Sequence, residues 1–212
     1  MSLKIHRIYQ FRPDTSPRDL DTLVAKQLYS STVEGLNDPF EFIALRILNS
    51  HPEKKVEYQN FGITCFCRSI TNPLLWSHYA ASHRGFAIGY DSWHRDFSPG
   101  GKHALLFHNV KYEDVPPSLD RYGKNEFHLA CMTTKPTCLA YEQEVRLIST
   151  EGNKSITVPA DMIKEVVFGI RMRPERRKEI MNKVRAAGIK VEFSQMENIP
   201  DSFGVKPKLI KR

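Results

Sequence analysis

"NPLLWSHYAASHRGFAIGYD", residues 72–91, decides the fold class because its hydrophobic pattern changes period part of the way along. Asn72 and Pro73 are typical of the start of a helix, and the apolar residues that follow them have helical spacing. Gly85 is typical of a helix end, and residues 85–91 form a short apolar run that predicts a strand. A helix that passes directly into a strand predicts a fold in which both types of element pack together.

The rest of the sequence also contains both the two-residue alternation of strands and the 3.6-residue spacing of helices. Alternation of apolar and polar residues predicts strands at 5–11, 61–69 and 189–196, and a hairpin of 141–150 with 154–159. Helical spacing predicts helices within 16–27, 40–50, 121–134 and 173–188. We therefore predict an α+β fold, a single mixed domain over residues 1–205 whose central, mostly antiparallel sheet is flanked by helices. A basic C-terminal tail follows at 206–212.

The charge balance favours an anionic partner. The chain of 212 residues has 31 basic and 24 acidic side chains, a formal net charge of +7. Much of the excess lies in residues 171–190 and in the tail "KPKLIKR". A nucleic acid, a nucleotide or an acidic protein would each suit this balance, and so would a solvated basic surface with no partner.

The cysteines and the apolar runs exclude other classes of protein. The four cysteines are spaced C-x-C and C-x6-C, which matches neither common structural zinc pattern, so we predict no metal site. No apolar stretch approaches the roughly 20 residues that span a bilayer, and the N-terminus lacks a signal-peptide core. The sequence therefore predicts a cytoplasmic protein with reduced thiols and no membrane partner.

One group of candidate site residues lies inside the opening stretch. Trp76, Ser77, His78 and Tyr79 are adjacent, and His83 follows them. Trp76 and Tyr79 are most simply core residues, because they belong to the apolar part of the predicted helix. The two histidines are either hydrogen-bonded structural residues or ligand contacts, and the sequence leaves both interpretations open.

A second group lies in "YEQEVRLI", residues 141–148, where strand alternation places Glu142, Glu144 and Arg146 on one face. One interpretation is a solvated strand edge with weak ion pairs. The other is a functional carboxylate that the neighbouring arginine keeps ionised. No glycine-rich phosphate loop, nucleophilic serine elbow or paired-histidine zinc motif accompanies either group.

Several stretches taken in order resemble a bacterial family catalogued only as a domain of unknown function. The best markers are "NDPFE" at 37–41, "WSHYA" with the following "GFAIGYD", and "YEQEVR" at 141–146. The resemblance runs through most of the chain. It implies candidate positions and no reaction, since that family has no assigned activity.

The order of predicted elements is also similar to that of mono-ADP-ribosyltransferases, a weaker likeness of layout. This similarity implies an NAD-using enzyme, acting on nucleic acid or protein in defence or toxin systems. Cleavage of the nicotinamide–ribose bond passes through an oxocarbenium-like state that needs a carboxylate near the ribose. Glu144 is the candidate for that role, and Glu142 would either orient the acceptor or be its structural neighbour.

The same similarity implies a set of NAD contacts. Arg12 or His6 would bind a phosphate or a ribose hydroxyl, because a guanidinium offers a bidentate fork to such oxygens. Trp76 or Tyr79 would stack on nicotinamide, and Ser77 and His78 would supply hydrogen bonds. His83 and Arg146 complete the predicted binding residues.

Two alternatives from other functional classes stay open. One is a basic nucleic-acid-binding module or metal-independent nuclease, with His78 or His83 as acid–base groups and a helix near 174–187 on phosphates. The other is a non-catalytic sensor or interaction domain, in which the aromatic and histidine residues are core and the carboxylates are ion-paired.

Overall fold

The computed structural model of the chain describes residues 7–37, 61–92 and 106–211. His6, the helix predicted at 40–50 and most of the "NDPFE" marker lie outside these residues.

Within the described residues, strands and helices alternate along the chain. The strands are β1 (Arg7–Arg12), β2 (Gln27–Ser30), β3 (Gly62–Cys67), β4 (Phe86–Asp91), β5 (Leu106–Asn109), β6 (Lys111–Tyr112), β7 (Thr134–Lys135), β8 (Glu144–Ser149), β9 (Lys154–Thr157), β10 (Ile163–Phe168), β11 (Glu192–Asn198) and β12 (Val205–Leu209). The α-helices are α1 (Pro17–Val24), α2 (Pro73–Tyr79), α3 (Leu119–Thr133) and α4 (Pro174–Ala186). Short 3-10 helices cover Val33–Gly35, Thr137–Glu142 and Ala160–Met162.

The main sheet has eight strands in the order β12-β11-β10-β4-β1-β3-β8-β5. Among the pairs with a defined register in this sheet, only β10 and β11 are parallel. Two small sheets pair β2 with β9 and β6 with β7. The predicted α+β class with a mostly antiparallel central sheet is therefore confirmed.

The chain divides into two compact units, which are described separately. The first unit comprises Met1–Leu28, Phe66–Ser98 and Ile156–Arg212, and the second comprises Tyr29–Cys65 and Pro99–Ser155. The single domain over 1–205 stays a prediction.

Local capping explains where α1 and α2 begin. Ser16 caps α1 in a capping box with Asp19, and Pro17 occupies the first helical position. Asn72 caps α2 by accepting a hydrogen bond from the backbone N–H of Leu74. Both helix starts agree with the predictions, because a cap and its helix are neighbours in sequence.

A glycine in β4 allows three side chains from the flanking strands to meet. Gly89 pairs with Tyr9 on one side and with Glu165 on the other. A Cβ atom at Gly89 would lie 2.6 Å from Cγ of Glu165, so only glycine leaves room for that side chain. Glu165 then accepts hydrogen bonds from Arg7 at 2.7 Å and from the Tyr9 hydroxyl at 3.2 Å. Arg7 is thereby fixed at the start of β1.

The hairpin predicted for 141–150 and 154–159 is wrong in its pairing, since β9 pairs with β2 and not with β8. Asn153, in the connecting turn, has a positive φ of 56°. Its side-chain oxygen accepts hydrogen bonds from the Tyr29 hydroxyl at 3.2 Å and from the backbone N–H of Thr32 at 3.4 Å. These contacts direct the chain toward β2 before β9 begins.

Two further boundaries differ from the predictions. Glu142 was expected on the same strand as Glu144, but it ends a 3-10 helix, and Gln143 with φ 46° interrupts the alternation before β8. The segment 206–212, expected as a tail, begins within β12, which pairs with β11 in antiparallel register. The alternation of Val205–Leu209 is obscured in the sequence by Pro207 and its flanking lysines.

Candidate functional site

Trp76 belongs to the core of the first unit. Its side chain is 0% exposed, and its indole N–H donates a 2.7 Å hydrogen bond to the backbone carbonyl of Ile70. Phe11 contacts the indole edge-on, with ring centroids 4.9 Å apart. The core interpretation of Trp76 is therefore correct, and the stacking role implied by the transferase similarity is not available to a buried ring.

The chain after α2 is held in an unusual backbone conformation. Ala81, Ser82 and His83 have φ values of 46°, 54° and 69°, a run of left-handed residues that stores strain when none of them is glycine. Backbone hydrogen bonds fix the run, including His83 N–H to the Trp76 carbonyl at 3.0 Å. The helix consequently ends at Tyr79, earlier than Gly85, where the sequence indicated its end.

This turn brings His83 against residues of the preceding helix. Its Nε2 atom lies 3.1 Å from Oγ of Ser77, and its ring is stacked near Trp76 with centroids 6.5 Å apart. Burial, and then the positive charge of Arg171, lower the pKa of His83 below its usual value of 6.5. His83 is therefore a neutral, hydrogen-bonded residue at pH 7, which suits a structural role.

The other predicted contacts of the first unit are more accessible. His78 is exposed and Tyr79 is half-buried, with ring centroids 6.3 Å apart. Arg12 donates a 2.8 Å hydrogen bond from Nη2 to the side-chain oxygen of Gln10. Its Nε atom is buried and has no hydrogen-bond partner within the part of the chain that the structure describes.

The second unit contains a buried tetrad of charges, Lys135, Glu142, Glu144 and Arg146. Lys135 Nζ lies 2.7 Å from Glu142 and 3.1 Å from Glu144. Arg146 is 0% exposed, and its Nε and Nη2 atoms donate to the two oxygens of Glu144 at 2.8 and 3.2 Å. The structure thus brings together all three predicted residues and a lysine that the sequence analysis did not select. Of the two interpretations, the solvated edge is wrong, since all four side chains are buried.

The hydrogen bonds of Glu144 account for all of its acceptor positions. Its carboxylate receives two bonds from Arg146, one from Lys135 and one from the Cys65 thiol. A carboxylate has about four lone-pair positions. Burial alone would raise the pKa of Glu144, but Arg146 and Lys135 outweigh it and hold the pKa at about 2. The side chain is therefore ionised and saturated, which supports a structural role, and its transferase role stays a prediction.

Besides the buried tetrad of the second unit, charged residues also cluster in a groove of the first unit, called here the basic groove. Its volume is about 1100 Å³, and its lining comes from the start of β1, the start of β10, the end of α4 with the following turn, the start of β11 and the end of β12. Among the described residues, the charged side chains that line it are Arg7, Lys164, Arg185, Lys190, Lys211 and one acid, Glu192. Its apolar lining includes Ile189, Val191, Phe193, Leu209 and Ile210.

Most cations of the basic groove are not neutralised. Lys164, Arg185, Lys190 and Lys211 form no ion pair among the described residues, whereas Arg7 is paired with Glu165. A cation that is not held in an ion pair attracts an incoming anion more strongly than one whose charge a carboxylate already offsets.

The basic residues on the body of α4 behave differently. Arg176 donates to Asp14 at 2.8 and 2.6 Å and is also paired with Glu179, which binds Lys183 as well. The helix predicted to contact phosphates thus has several of its charges neutralised along its length. Arg177, Lys178 and Arg185 on the same helix form no ion pair among the described residues, and of these only Arg185, in the last turn, lines the groove.

Sequence reasoning identified only part of the basic groove. The excess of basic residues in 171–190 and at the C-terminus was a usable signal for Arg185, Lys190 and Lys211. Arg7 and Lys164 are isolated basic residues on separate strands, and only the strand order places them on the same groove.

In comparisons with known proteins, no family model, curated protein or solved structure matches this chain. Across residues 7–37, 61–92 and 106–211, no cluster of three or more His, Cys, Asp or Glu side chains has the arrangement of a metal site. In the same ranges, none of the helices has the length and apolar character needed to cross a membrane.

Proposed function

We propose that this protein binds the phosphate backbone of a nucleic acid through the basic groove. The observation that carries the proposal is a set of four cations, Lys164, Arg185, Lys190 and Lys211, in one groove. Among the described residues they form no ion pair, and one carboxylate, that of Glu192, lines the groove with them. Cations in such a set release condensed counterions when they bind phosphates, and this release drives nucleic-acid binding.

The size of the basic groove favours a polymer over a small metabolite. At about 1100 Å³ it lies at or above the upper end of the roughly 300–1,000 Å³ that small-molecule sites occupy. A chain of phosphates can engage cations contributed by several separate elements, whereas one small anion would reach only some of them. The formal net charge of +7 adds a general attraction for the same class of partner.

We propose binding and not cleavage. Within the described part of the chain, no histidine, cysteine or serine that could move a proton or attack phosphorus lines the basic groove. His83 and His78, which the nuclease alternative would use, belong to the strained turn and α2 and do not line the groove.

The proposal predicts how strongly the binding affinity depends on salt concentration. If four phosphates are neutralised, the slope of log K against log salt is about −2.8 to −3.6. Affinity should then fall by about 50- to 150-fold when salt rises from about 50 mM to about 200 mM. A neutral or non-specific apolar contact would show almost no slope.

The test is fluorescence anisotropy with labelled oligonucleotides across a salt series. Lys190→Ala should weaken binding and reduce the magnitude of the slope by about 0.7–0.9. Lys178→Ala is the matched control, since Lys178 is an exposed lysine of α4 that does not line the groove. Equal effects of the two variants, or binding that does not respond to salt, would contradict the proposal.

A further inference from the structure

The basic groove combines charge with exposed apolar surface, and this combination distinguishes between kinds of nucleic acid. Leu209 is 58% exposed at the end of β12, beside Ile210 and Lys211. A duplex presents phosphates outward and keeps its base faces stacked inside, so it would leave this apolar surface uncovered. A single strand presents base faces together with phosphates.

Arg185 has a fixed place in the basic groove. Its Cζ atom lies over the ring of Phe193, 5.3 Å from the centroid, while the side chain as a whole is exposed. Phe193 is itself buried and stacks on Phe168, with ring planes 2° apart and centroids separated by 6.1 Å. The guanidinium therefore rests on a rigid aromatic base that limits its rotamers.

A guanidinium held in this way suits a nucleobase as well as a phosphate. Its planar, weakly hydrated surface stacks on aromatic rings, which the compact and strongly hydrated ammonium of lysine does not do. Single-stranded nucleic acids are recognised by stacking of unpaired bases on aromatic side chains and on arginine planes.

We infer that the basic groove prefers single-stranded nucleic acid to a duplex, and that Arg185 on Phe193 is the stacking surface for an unpaired base. The inference rests on the proposed function, since both require the groove to bind nucleic acid. Lys164, Lys190 and Lys211, together with the positive charge of Arg185, neutralise phosphates, and Leu209 covers part of the exposed base face.

The experiment compares a single strand of about 20 nucleotides with the duplex formed from it and its complement, by anisotropy at fixed salt. The single strand should bind about tenfold more tightly, because stacking of even one base has an effect of that order. Arg185→Lys keeps the charge and removes the planar group, so it should weaken single-strand binding several-fold and leave duplex binding and the salt slope unchanged. Arg173→Lys, at an exposed position outside the groove, is the matched control.

Leu209→Ser is a second variant, which tests the inference even if Arg185→Lys does not fold. The Leu209 side chain is largely exposed, so its replacement should not disturb the fold. It should also weaken single-strand binding selectively. Equal binding of both forms, with Arg185→Lys unchanged from wild type, would overturn this inference and leave the proposed function standing. No binding of either form at low salt would overturn both.

Discussion

Glu144→Gln should lower the free energy of unfolding by about 3 kcal/mol, because it removes one anion from the buried tetrad and leaves its cations in excess. The pKa of Glu144 is about 2 against a usual value of 4.5, and each pKa unit corresponds to about 1.4 kcal/mol. Removal of one partner from a buried ion pair has an effect of about 3–5 kcal/mol, which agrees with this value. Glutamine has the same shape, so no cavity contributes.

The effect should be visible as a fall in Tm of about 6–12 °C, given that about 1 kcal/mol shifts the Tm of a chain of this size by about 2–4 °C. Urea denaturation followed by circular dichroism measures the free energy itself. Glu113→Gln is the matched control in the same unit, because the ion pair of Glu113 with Arg121 is at the surface, where solvent screens the charges and such pairs contribute little to stability.

The pH dependence has a defined sign. Since folding lowers the pKa of Glu144, its contribution is fully present above a pH of about 5 and is lost as pH falls toward its folded-state pKa of about 2. The difference in stability between wild type and Glu144→Gln should therefore shrink as pH falls below about 5. A variant as stable as wild type at pH 7, or one that loses no more than Glu113→Gln, would refute this account of the tetrad.

Three other predictions can be checked on the same protein. If the chain uses NAD, as the transferase similarity implies, calorimetry should show saturable NAD binding that Arg12→Ala removes, and no heat at millimolar NAD would contradict that hypothesis. Gly89→Ala should destabilise the first unit by about 1–3 kcal/mol in urea denaturation, because the new Cβ atom displaces Glu165; an unchanged midpoint would refute this. NMR titration should give His83 a pKa below 6.5. Because the folded protein binds a proton at His83 less readily than the unfolded chain does, the free energy of unfolding should decrease as pH falls below 6.5; a pKa above 6.5 would contradict the burial assigned to His83.

The features that were predicted correctly depend on neighbouring residues. Ser16 with Pro17, and Asn72 with Pro73, mark helix starts through contacts that span a few positions. Strand positions such as β1 and β4 follow from alternation or from a short apolar run, which are also local signals.

The features that were missed depend on contacts distant in sequence. The pairing of β9 is set by Asn153 with Tyr29 and Thr32, and no local pattern reports that contact. The sequence placed Glu144 and Arg146 on one face, but alternation alone does not distinguish a solvated face from a buried one. Lys135 was missed because it reaches this cluster from another element, β7.

The position of β12 at one end of the eight-stranded order has a consequence for self-association. An exposed outer strand can template pairing with a second molecule unless its sequence prevents this. Pro207 has no N–H to offer such a partner, and its neighbours Lys206 and Lys208 are exposed and paired with Glu197 on β11. An incoming strand would lose a hydrogen bond at Pro207 and would have to accommodate two charged side chains, so this border of the sheet resists polymerisation in concentrated solution.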